Sequence, residues 1–528
     1  MHAQVQALAL VVVVAFVYAL ARRVGALPPL LLVLVGLVAS FVPGVPEYSL
    51  DPSVVLTLFL PPLLYAAAIQ TSLPGFRANL RPIGLLAVGC VLFTTAVVAV
   101  VAHAAVPGLP WAAAFALGAI VAPPDAVAAT AVARKAGLPR RVVTILEGES
   151  LVNDATALTA LRVAAGAVTA ATSWPHAVLE LVVSAVGGAV VGLLTATFVT
   201  WLRRRTTDTV LDSTVSLLTP FAAYAAAESW ASGVLAVVVA GLLLGHRSPL
   251  LQSPQSRLQQ ASLWRMIEFL LQGVLFALLG LQLAPVLRGL DEDAGVAVRA
   301  SVLVALAVVL TRPLWVFPGT YLPRLVPRIA RTEPPVPWQS PVVISWAGMR
   351  GAVSLAAALS LDEHFPHRRL VIVITFVVIG TTLLLQGSTL PLVIRRSGLQ
   401  PADPTQDVLA EAAVKQRAAR AAEAELDLAV GETDLPHGVE DRLRAGARHR
   451  ALAAWERLGG GPGGSGQGDA PTERPSDAFK RVRRRMLDAE RRVLVTARDE
   501  GHIDEEVMRA ILRDLDLEEA MLSRDEGE

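Results

Sequence analysis

The feature that most constrains this chain is a succession of about thirteen apolar runs, each roughly the twenty residues a helix needs to cross a bilayer. They lie near 4–21, 27–43, 53–69, 83–105, 111–133, 142–165, 177–201, 211–227, 231–245, 266–287, 297–318, 341–361 and 370–394. Backbone at that depth is satisfied only within a helix or a closed barrel, and runs of this length select helices. The expected fold is therefore an all-α polytopic membrane protein. Composition agrees, with 54% hydrophobic and 17% charged residues and a mean hydropathy of +0.54, outside the range of soluble domains. Cys90 is the only cysteine, which excludes an intrachain disulfide and a cysteine-built metal cluster. A net charge of +1 gives no sign of a nucleic-acid partner, and nothing calls for a cofactor or an enzymatic centre.

Basic residues fall on alternate connections: Arg22-Arg23, Arg77 and Arg81, Arg134 to Arg141, Arg203 to Arg205, Arg247 to Arg265, Arg324 to Arg331, and Arg395-Arg396. The intervening connections are poor in them, which puts the N-terminus outside and the C-terminus in the cytoplasm. The first run has no basic n-region and reads as an uncleaved helix despite the small residues Ala19-Leu20-Ala21. The expected location is the plasma (inner) membrane.

Beyond residue 399 no run is long enough to span, so 1–399 reads as the membrane domain and the rest as a cytoplasmic tail. The tail divides into a helical segment at 400–458, a Gly-rich linker at 459–475 and a helical hairpin at 476–528. The hairpin pairs helices near 476–499 and 503–522, the second with an apolar stripe of Ile503, Val507, Ile511 and Leu515. It reads equally as a regulatory domain or as a packing or dimerising element.

Two membrane helices are expected to break. Pro123-Pro124 removes two backbone donors in the fifth run just before Asp125, and Gly348-Met349-Arg350-Gly351 interrupts the twelfth. Broken helices meeting at mid-membrane mark transporters built from inverted repeats, here runs 1–6 and 8–13. A carboxylate such as Asp125 suits the positive N-terminal end of a half-helix, and a cation such as Arg350 suits a negative C-terminal end.

The sixth run carries Glu147-Gly148-Glu149-Ser150-Leu151-Val152-Asn153-Asp154, and ionisable residues inside a span are costly and usually functional. Residues three, four and seven apart share a helical face, so Glu147, Ser150 and Asp154 point one way while Glu149 and Asn153 point another. Asp154 lies about 20 Å beyond Arg141, near the bilayer centre, and Glu147 about 10 Å nearer the cytoplasm. Asp154 is the expected ion site, and Glu147 belongs to the access path. One carboxylate, a serine hydroxyl, an asparagine carbonyl and backbone carbonyls at the break, such as that of Pro124, are oxygen donors suited to a monovalent cation. Desolvation favours the neutral carboxyl, so a proton competes with the cation for Asp154. For Glu149 a structural ion pair with Arg350 is expected. Glu268 in the tenth run either braces the core or lines the funnel, and Arg162 is expected to snorkel to the outer interface.

These residues resemble the monovalent cation/proton antiporters of the CPA1 type, which include bacterial sodium/proton antiporters and animal sodium/proton exchangers. The resemblance covers about residues 5–396 and rests on Pro123-Pro124-Asp125-Ala126-Val127-Ala128, Glu147 to Asp154, and Gly348-Met349-Arg350-Gly351-Ala352-Val353. It implies that Asp154 binds cation and proton in alternation, that Ser150 contributes a ligand, and that Asn153 supports the crossing. It also implies that Asp125 sits in the unwound fifth helix and that Glu149 and Arg350 form a buried pair. The Asn153-Asp154 pairing is similar to that of electroneutral members, exchanging one cation, most simply Na⁺, for one proton by an elevator-like shift within a homodimer. The chain departs from the pattern at Pro124, where many members have Thr, and at Ala66, where many have Glu after Leu60-Pro61-Pro62. A passive cation channel or uniporter, or a transport-inactive membrane-anchored sensor, are the competing readings.

Overall fold

The computed structural model describes residues 2–24, 28–43, 45, 52–125, 130, 138–169, 174–206, 208–282, 284, 294–333, 335–399, 404–432, 436, 438–446, 475–499 and short pieces at 511–522. Among them there is no strand. The helices of the first 402 residues are α1 (His2–Val24), α2 (Pro28–Ala39), α3 (Val55–Gln70), α4 (Leu80–Ala105), α5 (Trp111–Val121), α6 (Arg140–Thr169) and α7 (Trp174–Arg203). They continue with α8 (Thr209–Ala227), α9 (Gly233–Leu251), α10 (Pro254–Leu281), α11 (Ala294–Tyr321), α12 (Gln339–Trp346), α13 (Ala352–Leu359) and α14 (Arg368–Ser397). Seven helices are long and apolar enough to cross a membrane, and α2, α3 and α5 are shorter apolar helices. The protein is a multi-pass membrane protein.

Packing sorts these helices into two groups. One contains α4, α5, α6, α11, α12, α13 and α14; the other contains α1, α2, α3, α7, α8, α9 and α10. Small residues set the closest approaches, because dispersion and not water drives helix association in lipid. At the crossing of α2 and α10 a Cβ on Gly36 would stand 2.5 Å from the Ala277 carbonyl, and one on Gly280 would strike that of Val33.

Both expected breaks are present. The fifth helix stops at Val121, and Ala122 to Asp125 are not helical; the twelfth stops at Trp346 and resumes as α13 at Ala352. Residues 126–129, which carry the rest of the Pro-Pro-Asp motif, lie outside the described residues, as do Arg134 and Lys135.

Residues Asp403–Glu528 form a separate compact unit. It contains α15 (Pro404–Glu432) and α16 (Pro475–Asp499). Arg483 grips Glu518 through Nε and Nη2 at 2.6 and 2.7 Å, and Arg491 reaches Asp516 at 2.6 Å, so charge pairs hold α16 to the helical residues 515–519. The linker 459–468 and the stripe residues Ile503 and Val507 lie outside the described residues.

Candidate functional site

The two breaks meet. Asp125 donates its backbone N–H to the Met349 carbonyl at 2.6 Å, joining the interrupted fifth helix to the interrupted twelfth. Gly351 is required beside it: a Cβ there would collide with the Asp125 carboxylate. Since Gly351 is the residue capping α13, that carboxylate sits at the positive N-terminal end of a half-helix.

The opposite ends of the half-helices are met by arginines. Arg350 donates Nε to the Val121 carbonyl at 3.0 Å and Nη2 to that of Ala122 at 3.2 Å, satisfying carbonyls that the last turn of α5 leaves without helical partners. Arg312, on α11, donates Nε to the Ile344 carbonyl at 3.0 Å and so does the same for α12.

The pairing of Glu149 differs from the sequence-based expectation. Its two carboxylate oxygens accept from Arg312 Nη1 at 2.6 Å and Nη2 at 2.8 Å. Arg350 points instead to the end of α5 and to the Gly348 carbonyl. The reason is geometric: Arg350 emerges inside the chain break, where unpaired carbonyls surround it, whereas Arg312 reaches across from a continuous helix with its planar fork matched to a carboxylate. Arg312 was not singled out from the sequence, although an arginine in the apolar run 297–318 is itself a signal.

Asn153 is fully buried, and its Nδ2 donates to the Pro124 carbonyl at 2.7 Å. It does not line the cavity described below; its Nδ2 braces the break, and its Oδ1 is buried without a hydrogen bond. The same bond engages one lone pair of the Pro124 oxygen that was expected to face the ion.

A cavity of about 320 Å³ lies between the two helix groups. Its walls carry Asp125, Glu147, Ser150 and Asp154 from one group and Glu268 and Gln272 from the other, with Pro124 and Ser354 beside them. The cavity thus has four carboxylates and no lysine, arginine or histidine among the described residues of its wall. Asp154 is the fifteenth of the thirty residues of α6 and is 9% exposed. Glu147, Ser150 and Asp154 share the cavity face of the helix, while Glu149 and Asn153 turn into the packing. Among the described residues no three His, Cys, Asp or Glu side chains converge as a chelate, so the acids are spread along the opening. Ala66 is fully buried in the packing of α3 and is not part of the wall; Ala67 and Gln70 are, and Glu268, held by Gln272 Nε2 at 3.0 Å, provides an acid from α10 opposite.

An anionic cavity at mid-span, beside half-helices whose ends are neutralised by an aspartate and two arginines, defines a secondary cation transporter with crossed broken helices. Residues 10–396 match the transmembrane family of sodium/hydrogen exchangers, and the chain belongs to that family. It is 36% identical to an uncharacterised Na⁺/H⁺ exchanger of Mycobacterium tuberculosis, across 98% of this chain and 95% of the relative. It is 32% identical to a sodium, potassium, lithium and rubidium/H⁺ antiporter of Bacillus pumilus, across 70% of this chain and 58% of that one. In fold it is similar to the sodium proton antiporter MjNhaP1 of Methanocaldococcus jannaschii, with a TM-score of 0.60 and 19% identity over 75% of this chain and 100% of that one. Its activity is secondary active exchange of a cation for protons; the channel and sensor readings have no support beside this kinship.

Proposed function

We propose that the chain exchanges Na⁺ for H⁺ one for one, with Asp154 binding the two ions in alternation. The observation that carries this reading is the mid-helix position of Asp154 in a cavity that holds three further acids and, among the described residues of its wall, no basic group. A buried carboxylate needs a positive partner or a proton. With no fixed cation among the described residues of the wall, the transported ions supply that charge, and either one leaves the same neutral complex to cross. Asp154 and Ser150 contact the cation directly, Asp125 and the Pro124 carbonyl face it from the break, Glu147 and Glu268 concentrate cations along the approach, and Asn153 holds the break in shape.

Alternation follows from the two-group architecture. The group carrying Asp125 and Asp154 slides against the group carrying α3 and α10, which the chain uses as a scaffold and, in a homodimer, as the contact with its partner. The membrane is the plasma membrane, with the C-terminal unit on the cytoplasmic side. In everted vesicles loaded with a pH-sensitive dye, adding Na⁺ should dissipate an imposed proton gradient, with K⁺ and Li⁺ tested in turn. Asp154→Ala should abolish the response; a response that survives in that variant contradicts the reading.

A further inference from the structure

A second cavity, of about 310 Å³, opens at the end of the bundle where α7 and α9 finish and α10 begins. Its wall carries Arg203, Arg257 and Arg265 and no carboxylate among the described residues. Ion exchange at Asp154 does not use it, although Gln70 forms part of both walls.

Arg203 is the unusual member. Its side chain is 4% exposed, its Nε lies 2.8 Å from Asp212 Oδ1, and its Nη2 has no hydrogen-bond partner. A buried guanidinium donor left unsatisfied is costly, and most such groups in folded proteins find a partner. Asp212 balances the Arg203 charge without meeting that need: its Oδ2 accepts from Gln252 at 3.1 Å and from Gln260 at 3.0 Å, and its Oδ1, although 2.8 Å from Arg203 Nε, makes no hydrogen bond with it. Arg257 is likewise held, donating Nη1 to the Gln252 carbonyl at 2.6 Å. Arg203 and Arg257 are therefore held by the wall framework, Arg265 stands exposed at the rim with Nε on the Ala261 carbonyl, and the single carboxylate behind them leaves two positive charges without a counterpart among the described residues.

Guanidinium groups in a preorganised pocket select tetrahedral oxyanions, to which they donate several charge-assisted bonds. Basic pockets between membrane helices near a membrane surface suit phospholipid head groups for the same reason. We propose that the cavity formed by Arg203, Arg257 and Arg265 binds a phosphate group, carried by an anionic phospholipid head group or present as free phosphate.

The test uses the full chain purified in phosphate-free, uncharged detergent. Inorganic phosphate is titrated in one arm and phosphatidylglycerol in mixed micelles in the other, with phosphatidylcholine as the zwitterionic control; thermal unfolding and native mass spectrometry are the readouts. Saturable stabilisation and a one-to-one adduct are expected with at least one of the two anionic probes. Competition by inorganic phosphate identifies a free-phosphate site, and phosphatidylglycerol retention without such competition identifies a lipid site. The Arg257→Gln/Arg265→Gln variant should bind at least about tenfold more weakly, as expected for lost charge-assisted bonds, and Arg203→Gln should do the same. The double variant lies outside the ion-exchange cavity and keeps the test decisive should Arg203→Gln fail to fold. Absence of binding by both anionic probes, or unchanged binding in the double variant, overturns the proposal.

Discussion

Arg312 places both terminal nitrogens on the two oxygens of Glu149, at 2.6 and 2.8 Å, with each side chain 2% exposed. The same arginine also donates to the Ile344 carbonyl, so a single residue closes the ion pair and the end of a half-helix. Removing one partner of such a pair leaves an uncompensated buried charge, at a cost of about 3–5 kcal/mol. Arg312→Ala and Glu149→Ala should each lower the unfolding temperature of the purified protein sharply, and a Glu149→Leu/Arg312→Met double variant should lose less than the sum. Additive losses would show that the two residues act independently.

Gly351 predicts a different kind of damage. A Cβ at this position collides with the Asp125 carboxylate and not with a pliable apolar group, so Gly351→Ala should displace Asp125 and weaken its backbone bond to Met349. Overpacking of this sort costs about 1–3 kcal/mol. Exchange measured in everted vesicles is expected to fall further than that stability loss alone accounts for.

Much of this was readable in the chain. Each apolar run overlaps a helix among the described residues, seven of these helices being long and apolar enough to cross a membrane, and the interruptions at Pro123-Pro124 and Gly348 to Gly351 follow from local backbone chemistry. The division of α6 into a Glu147–Ser150–Asp154 face and a Glu149–Asn153 face follows from helical spacing alone. The partner of Glu149 was not readable, because Arg312 lies 163 residues away and two buried arginines compete for the same acid. Only the packed structure shows that Arg350 is consumed by the carbonyls ending α5. Glu268 was ambiguous for the same reason: its position in the cavity depends on how α10 packs against the other group, which helical spacing does not encode.

Arg162, expected to snorkel to the outer interface, meets Glu228 at 2.6 Å, tying α6 to the turn between α8 and α9. The side chains are 40% and 36% exposed, so the bond contributes at most about 1 kcal/mol. It joins the two helix groups, so the proposed sliding of one group against the other requires it to break. Glu228→Gln should leave the unfolding temperature nearly unchanged and raise the exchange rate; an unchanged or lower rate would separate this bond from the transport cycle.

In the C-terminal unit, Arg483 holds the carboxyl of Glu518 below the ordinary glutamate range. A depressed acid contributes stability above its unfolded pKa and loses it as pH falls through the folded one. The protection of α16 amides in the full chain, measured as exchange relative to the intrinsic rate at each pH, should therefore fall on acidification below about pH 4.5, the usual glutamate value, and added salt should reduce the difference. Protection that does not change across that range would show that the pair does not hold the two segments together.

In the proposed cycle one carboxylate, Asp154, holds either the cation or the proton. In proteoliposomes of the purified protein, radiolabelled Na⁺ uptake measured across a pH series tests it directly. Protons and Na⁺ should compete, so that the apparent Na⁺ affinity falls by about tenfold per pH unit on the acid side of the site's titration, and Asp154→Asn should abolish uptake. A Na⁺ affinity independent of pH, or exchange that persists in Asp154→Asn, would contradict it.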